Sequence, residues 1–162
     1  MTIPLLPPRF SGVFTLSSAL HDAYLQAVGG GHPVHSSREL ALQSDFADVP
    51  LAGIHVLGAA MATFTRQFAG NPMLLLKVET KFLRPAYPGD ALALELELRE
   101  SGEVAGTPFT GGRYQGYCID AGQQEVLMLD FKIRVALAGS SLSAGAPQSA
   151  STPTAPCLRP AG

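Results

Sequence analysis

The segment PLAGIHVLGAAMATFTRQFAG, residues 50–70, constrains this chain more than any other stretch. From Ala52 to Ala62 every side chain except His55 is apolar or small, so no face is left for water. A helix hydrophobic on all sides has to be surrounded by other structure. Polar residues enter only near Thr63–Gln67, and Gly70 with Pro72 just beyond gives a stop. Strands follow. Leu74, Leu76, Val78, Thr80 and Phe82 alternate with Lys77, Glu79 and Lys81, the period of two expected of a half-buried strand. The turn RPAYPGD leads to ALALELELRE, whose four leucines share one face, and GRYQGYCID and EVLMLDFKIRVAL complete the set. Asp120–Gln123 reads as a tight hairpin between the last two.

Ahead of the buried helix, Arg9–Leu16 reads as a strand. Ser17 or Ser18 caps a helix through Ala19–Val28, with Leu20, Tyr24 and Ala27 on one face. Gly29, Gly30 and Gly31 end that helix, and a short helical turn is expected around Ser37–Gln43. Strand, helix, buried helix and four antiparallel strands make an α+β chain. An antiparallel sheet wrapped around one long central helix is the hot-dog arrangement. A single domain is expected at 9–137, after an extended Pro-rich segment at 1–8. The Ala/Ser/Pro-rich stretch 138–162 has too few large apolar side chains to offset its ordering entropy, so disorder is expected there.

Composition removes several classes of function. The net charge is -2 and no Lys/Arg run occurs, so the basic footprint of a nucleic-acid binder is missing. Cys118 and Cys157 are too few and too far apart for a disulfide framework or a zinc site. The N-terminus has no charged stretch followed by an apolar one, and no run reaches the ~18 apolar residues of a membrane span. A soluble cytoplasmic protein is expected. Only 15% of residues are charged against 46% hydrophobic, so part of the surface is expected to meet a partner.

Three local patterns then occur in order. VGGGHPVH, residues 28–35, is similar to the Asp-x-Asn-Pro-x-His motif of MaoC-like enoyl-thioester hydratases. Pro33 and His35 match, His32 stands at the Asn, and Gly30 stands at the catalytic Asp. PLAGIHVLG, residues 50–58, is similar to the family's Pro-Ile-Ala-His-Gly-Met-Leu, with Gly53 at its Gly and Ala52 where its His would be. KFLRPAYPGD, residues 81–90, resembles Arg-Phe-x-x-Pro-Val-x-Pro-Gly-Asp, with Phe82, Pro85, Pro88, Gly89 and Asp90 in place. The resemblance extends over about residues 9–137, most of the chain. The chain thus resembles the (R)-specific enoyl-CoA hydratases and 3-hydroxyacyl-thioester dehydratases.

That resemblance implies a homodimer acting on an acyl thioester carried by CoA or an acyl carrier protein, with no metal and no cofactor of its own. It implies that His35 works as an acid–base group, with backbone N–H groups at the start of the buried helix holding the thioester oxygen. Gly53 is expected to let substrate approach the backbone, and Ile54, His55, Gly30 and Gly31 are expected beside it. Gly30 supplies no carboxylate, which leaves three readings open. His32 takes over the missing role beside His35; the pocket serves another reaction, such as cyclisation, isomerisation or thioester hydrolysis; or the protein is an acyl-binding partner subunit. His55 reads either as a packed core histidine or as a base at the pocket mouth. No spacing recommends Asp22, Asp45 or Asp48.

Overall fold

The computed structural model describes residues 6–136. Most of the expected N-terminal segment, the expected disordered tail and Cys157 lie outside the described residues. In order come β1 (Arg9–Thr15), α1 (Ser18–Ala27), a 3-10 turn (Pro33–His35), α2 (Arg38–Gln43), α3 (Gly53–Thr65), a second 3-10 turn (Arg66–Phe68), β2 (Met73–Phe82), β3 (Ala91–Glu103), β4 (Phe109–Ile119) and β5 (Glu125–Ala136). The strands form one antiparallel sheet in the order β1-β3-β4-β5-β2. This is the α+β arrangement expected from the sequence, with the sheet curled about α3.

The core lies between that helix and the concave face of the sheet. Leu92, Leu94 and Leu96 of β3 and Leu127, Leu129, Phe131, Ile133 and Val135 of β5 all point inward, as their alternation requires. Phe64 of α3 sits at the centre. Its ring meets Phe10, Phe68, Tyr114 and Phe131 edge-on, with centroids 4.8–5.3 Å away. Tyr114 donates its hydroxyl to the Pro7 carbonyl at 2.9 Å, and burial pushes the phenol up to about 12. Cys118 is buried and unpaired, and burial pushes its thiol up to about 12, so it is a packing residue. On the outer face Arg113 forks onto Asp130 at 2.9 and 2.6 Å and reaches Glu100, which holds Asp130 down at about 2.

Three expectations need correction. First, α3 is not buried all round. Val56, Ala60, Met61, Thr63 and Phe64 face the sheet, while Ile54, Gly58 and Ala62 form an exposed stripe, because one sheet covers one side of a helix. Second, β2 is not half-buried. A bulge between Leu75 and Lys77 breaks its alternation, and Leu74, Leu75 and Leu76 are exposed at this edge of the sheet. Third, α1 turns His21 and Leu25 inward rather than Leu20 and Tyr24. Its inward face is led by a histidine, which a search for apolar periodicity does not count.

The glycine triplet is a helix stop of defined geometry. Gly29 has φ +79 and the Gly30 N–H reaches back to the Leu25 carbonyl at 2.7 Å, the six-to-one bond of a Schellman motif. Gly30 itself has φ +96.

Phe64→Ala is expected to cost about 3–5 kcal/mol, the range for emptying a buried aromatic site. Urea unfolding followed by far-UV circular dichroism measures it directly.

Candidate active site

His35 closes the first 3-10 turn, which Pro33 starts and His32 caps by accepting the Val34 N–H on Nδ1 at 3.3 Å. The His35 ring is turned toward the start of α3, where its Nδ1 lies 3.0 Å from the Pro50 carbonyl. A carbonyl oxygen only accepts, so Nδ1 carries the hydrogen. In the neutral ring Nε2 therefore holds the free lone pair. This is the tautomer a general base needs, fixed by one backbone contact.

The start of α3 is bare. Its N-cap, Ala52, offers no side-chain acceptor, and the first intrahelical bonds run from His55 and Val56 to the Ala52 carbonyl. The N–H groups of Gly53 and Ile54 have no such partner. His35, Gly53 and Ile54 all line one cavity of about 370 Å³ whose other walls include Leu51, Phe82 and Leu127. A β-carbon on Gly53 would fall 2.6 Å from two atoms of the Phe82 ring. Gly53 is thus required by a side chain of the protein itself, and Phe82 lies over the place where the sequence led us to expect ligand.

Behind His35 stands a histidine cluster. His21, only 2% exposed, has its Nδ1 3.0 Å from His55 Nδ1, and its ring lies 5.3 Å from His55 and 6.3 Å, edge-on, from His35. Tyr24 stacks on His55 at 4.4 Å. Two facing Nδ1 atoms share one hydrogen, so neither ring can take up a proton there without losing the bond. Burial, then the charges that His55 and His35 would carry, lowers the His21 pKa; Asp22 and the His35 backbone carbonyl pull the other way. Burial lowers His55 as well. His21 Nε2 is buried without a hydrogen-bond partner.

His35 also lines a second, polar cavity of about 300 Å³, together with Ser18, His21, Asp22, Asp48 and Tyr87. Of the residues singled out in the sequence, His35, Gly53 and Ile54 meet at one cavity, and His55 is joined to it through His21. His32, Gly30 and Gly31 are exposed and line neither cavity. His32 Nδ1 accepts the N–H of its own turn, and among the described residues no hydrogen bond joins His32 to His35. A β-carbon on Gly30 would meet nothing within 4 Å. His21 was missed in the sequence, where it lies in an ordinary helix with no motif around it. Among the described residues no group of three or more His, Cys, Asp or Glu is placed to hold a metal ion.

No family model matches the sequence, and no curated protein does. Solved structures do. A MaoC-like dehydratase from Rhodospirillum rubrum superimposes with TM-score 0.67 at 18% identity, over 79% of this chain and 90% of that one. The chain has the hot-dog fold. An (R)-hydratase from A. caviae involved in PHA biosynthesis gives TM-score 0.63 at 14% identity, over 77% of this chain and 92% of that one. The C-terminally truncated HadBC (3R-hydroxyacyl-ACP dehydratase) complex from Mycobacterium tuberculosis gives 0.62 at 17%, over 78% and 92%. These three structural neighbours are named as hydratases or dehydratases. Among the described residues no helix is long and apolar enough to cross a membrane.

The lowered His21 and His55 values have a consequence for stability. Both rings bind fewer protons folded than unfolded, so stability is full above the unfolded value near 6.5 and falls as pH drops below it. The urea midpoint is expected to fall between pH 7.5 and 5.5, and to fall less in His21→Gln.

Proposed function

We propose that this chain adds water to, or removes it from, an acyl thioester, as an (R)-specific enoyl-thioester hydratase or 3-hydroxyacyl-thioester dehydratase. The observation that carries this is that His35, its Nδ1 held by the Pro50 carbonyl, lines the same apolar cavity as an uncapped helix N-terminus. At about 370 Å³ the cavity falls inside the range of small-molecule sites, roughly 300–1,000 Å³. An acyl group lying in it would bring its thioester oxygen to the Gly53 and Ile54 N–H groups. These N–H groups and the helix dipole would hold the enolate charge that forms when the β-carbon is attacked. His35 would take the proton from water. The fold neighbours, named as hydratases and dehydratases, support the same reaction class.

The substrate would be carried on CoA or on the phosphopantetheine of a carrier protein, in fatty-acid or polyketide-type metabolism in the cytoplasm, with no metal or redox cofactor. The working unit would be a homodimer. Two unpartnered apolar surfaces support this: the exposed leucines of edge strand β2, and the Ile54/Gly58/Ala62 stripe of α3. A second reading, a repurposed site running cyclisation, isomerisation or thioester hydrolysis, is favoured by one observation, the missing carboxylate at Gly30.

Loss of the enoyl-thioester absorbance with crotonyl-CoA and longer 2-enoyl-CoA substrates tests the proposal. Turnover is expected, and His35→Ala should lower it by about 10²–10⁴-fold, the usual worth of one acid–base group. Activity untouched by His35→Ala would sink the assignment. Gly30→Asp is expected to give no gain, because φ +96 disfavours any side chain and the new carboxylate would face open space. A large gain would favour the repurposed reading.

A further inference from the structure

His35 forms part of the wall of both cavities, the apolar one at the start of α3 and the polar one beneath α1. His35 is the one residue that the two linings share. The titratable groups of the polar cavity come from every element around it: His21 and Asp22 from α1, His35 from the 3-10 turn, Asp48 from the segment before α3, and Tyr87 from the β2–β3 turn. Most are committed. His21 Nδ1 is taken by His55 and its Nε2 is sealed from solvent. Asp48 accepts from Arg38 at 3.2 Å and from the Val49 N–H at 2.8 Å. The Tyr87 oxygen accepts the Ala47 N–H at 3.2 Å. Asp22 has neither a hydrogen bond nor an ion pair among the described residues, although its charge reaches the neighbouring His21 ring.

We propose that Asp22 is a second catalytic residue: its free carboxylate, in the polar cavity that His35 closes, holds the reacting water and faces the imidazolium formed on His35. This rests on the hydration reading above. Because His35 Nε2 accepts, it takes one O–H of a water standing at His35 on the boundary of the polar cavity. The other O–H needs an acceptor, and Asp22 is the one charged acceptor there without a partner. In the forward step the water oxygen bonds to the β-carbon as one proton passes to His35 Nε2. The π pair of the alkene moves toward the thioester carbonyl to give the enolate. The same proton then leaves Nε2 for the α-carbon. The hydrogen that pointed at Asp22 stays on oxygen as the product hydroxyl. Water is added across the double bond, nothing is oxidised or reduced, and both residues end as they began. Asp22 thus does from α1 what Gly30, at the helix stop, has no side chain to do.

The test compares Asp22→Asn, Asp22→Glu and His35→Ala in the enoyl-CoA assay, with kcat and KM separated. Asp22 is exposed and unpartnered, so both of its variants should keep the unmutated urea midpoint. Asp22→Asn is expected to lower kcat about 10²-fold with KM within about 3-fold, and Asp22→Glu to recover at least a tenth of the lost rate. If Asp22→Asn keeps kcat within about 3-fold while His35→Ala is inactive, Asp22 is overturned and the hydration reading stands. If His35→Ala is also fully active, or the unmutated chain turns over no enoyl thioester, the hydration reading fails and Asp22 falls with it. A raised KM with kcat unchanged also overturns it, since a group that acts on the reacting water changes kcat.

Discussion

The site depends on four consecutive residues, Pro50–Gly53, and on what each backbone group does. The Pro50 carbonyl holds the His35 ring at 3.0 Å and sets its tautomer. The Leu51 N–H binds the Ala86 carbonyl at 2.8 Å, tying this segment to the β2–β3 turn. The Ala52 carbonyl accepts the first helical N–H groups, and Gly53 leaves room for the Phe82 ring. The loop histidine, the helix N-terminus and the edge strand are thus brought to one point by main-chain contacts. Main-chain groups cannot rotate away as side chains do, so the preorganisation that electrostatic stabilisation requires comes from the fold itself.

This hub also explains why the fold was legible in the sequence and the site only partly so. The leucine alternation of β3 and the alternation of β5 state which face is buried, because a strand's side chains have no choice of face once the register is set. The apolar run of α3 stated that the helix is central. It overstated how far one chain covers it, since apolar composition cannot tell a neighbour in the same chain from one in another. The alternation of β2 misled for a related reason: the bulge at Leu75/Lys77 and the edge position are tertiary facts with no local signature. His35 stood in a motif and was found. His21 stood in none, and its importance arises only because α1 turns it toward His55, a partner 34 residues away. His32 stood at the Asn of the motif, but a residue at the start of a tight turn has the Val34 N–H in reach, and its Nδ1 accepts that bond.

Sheet edge and helix stripe raise the same point about completeness. Leu74, Leu75 and Leu76 are 51, 45 and 49% exposed, and Ile54, on the wall of the apolar cavity, is 60% exposed. Leaving these four aliphatic side chains half in water forgoes about half of the roughly 1.5–3 kcal/mol that full burial of each is worth. The apolar cavity opens near both surfaces, since Phe82 belongs to the edge strand and Ile54 to the stripe. A second copy that covered either surface would also finish the wall of the cavity. On that arrangement the cavity wall and the assembly would be one problem in packing rather than two.

The electrostatic character of the site follows from burial, which disfavours charge on His21 and His55. The His21 ring lies 5.3 Å from His55 and 6.3 Å from His35, and desolvation acts against charge on His21 and His55. A site built only of such rings would resist an imidazolium on His35, which the hydration reading requires. Some fixed negative charge has to offset it, and a carboxylate tied up in an ion pair would be a poor choice because its field is largely spent. Asp48 is spent on Arg38 in this way, while Asp22, one residue along the helix from His21, is not. A helix that turns its histidine into the cluster necessarily carries the next side chain about 100° around, toward the polar cavity. The neutral strut and the free charge are therefore placed by the same turn of α1.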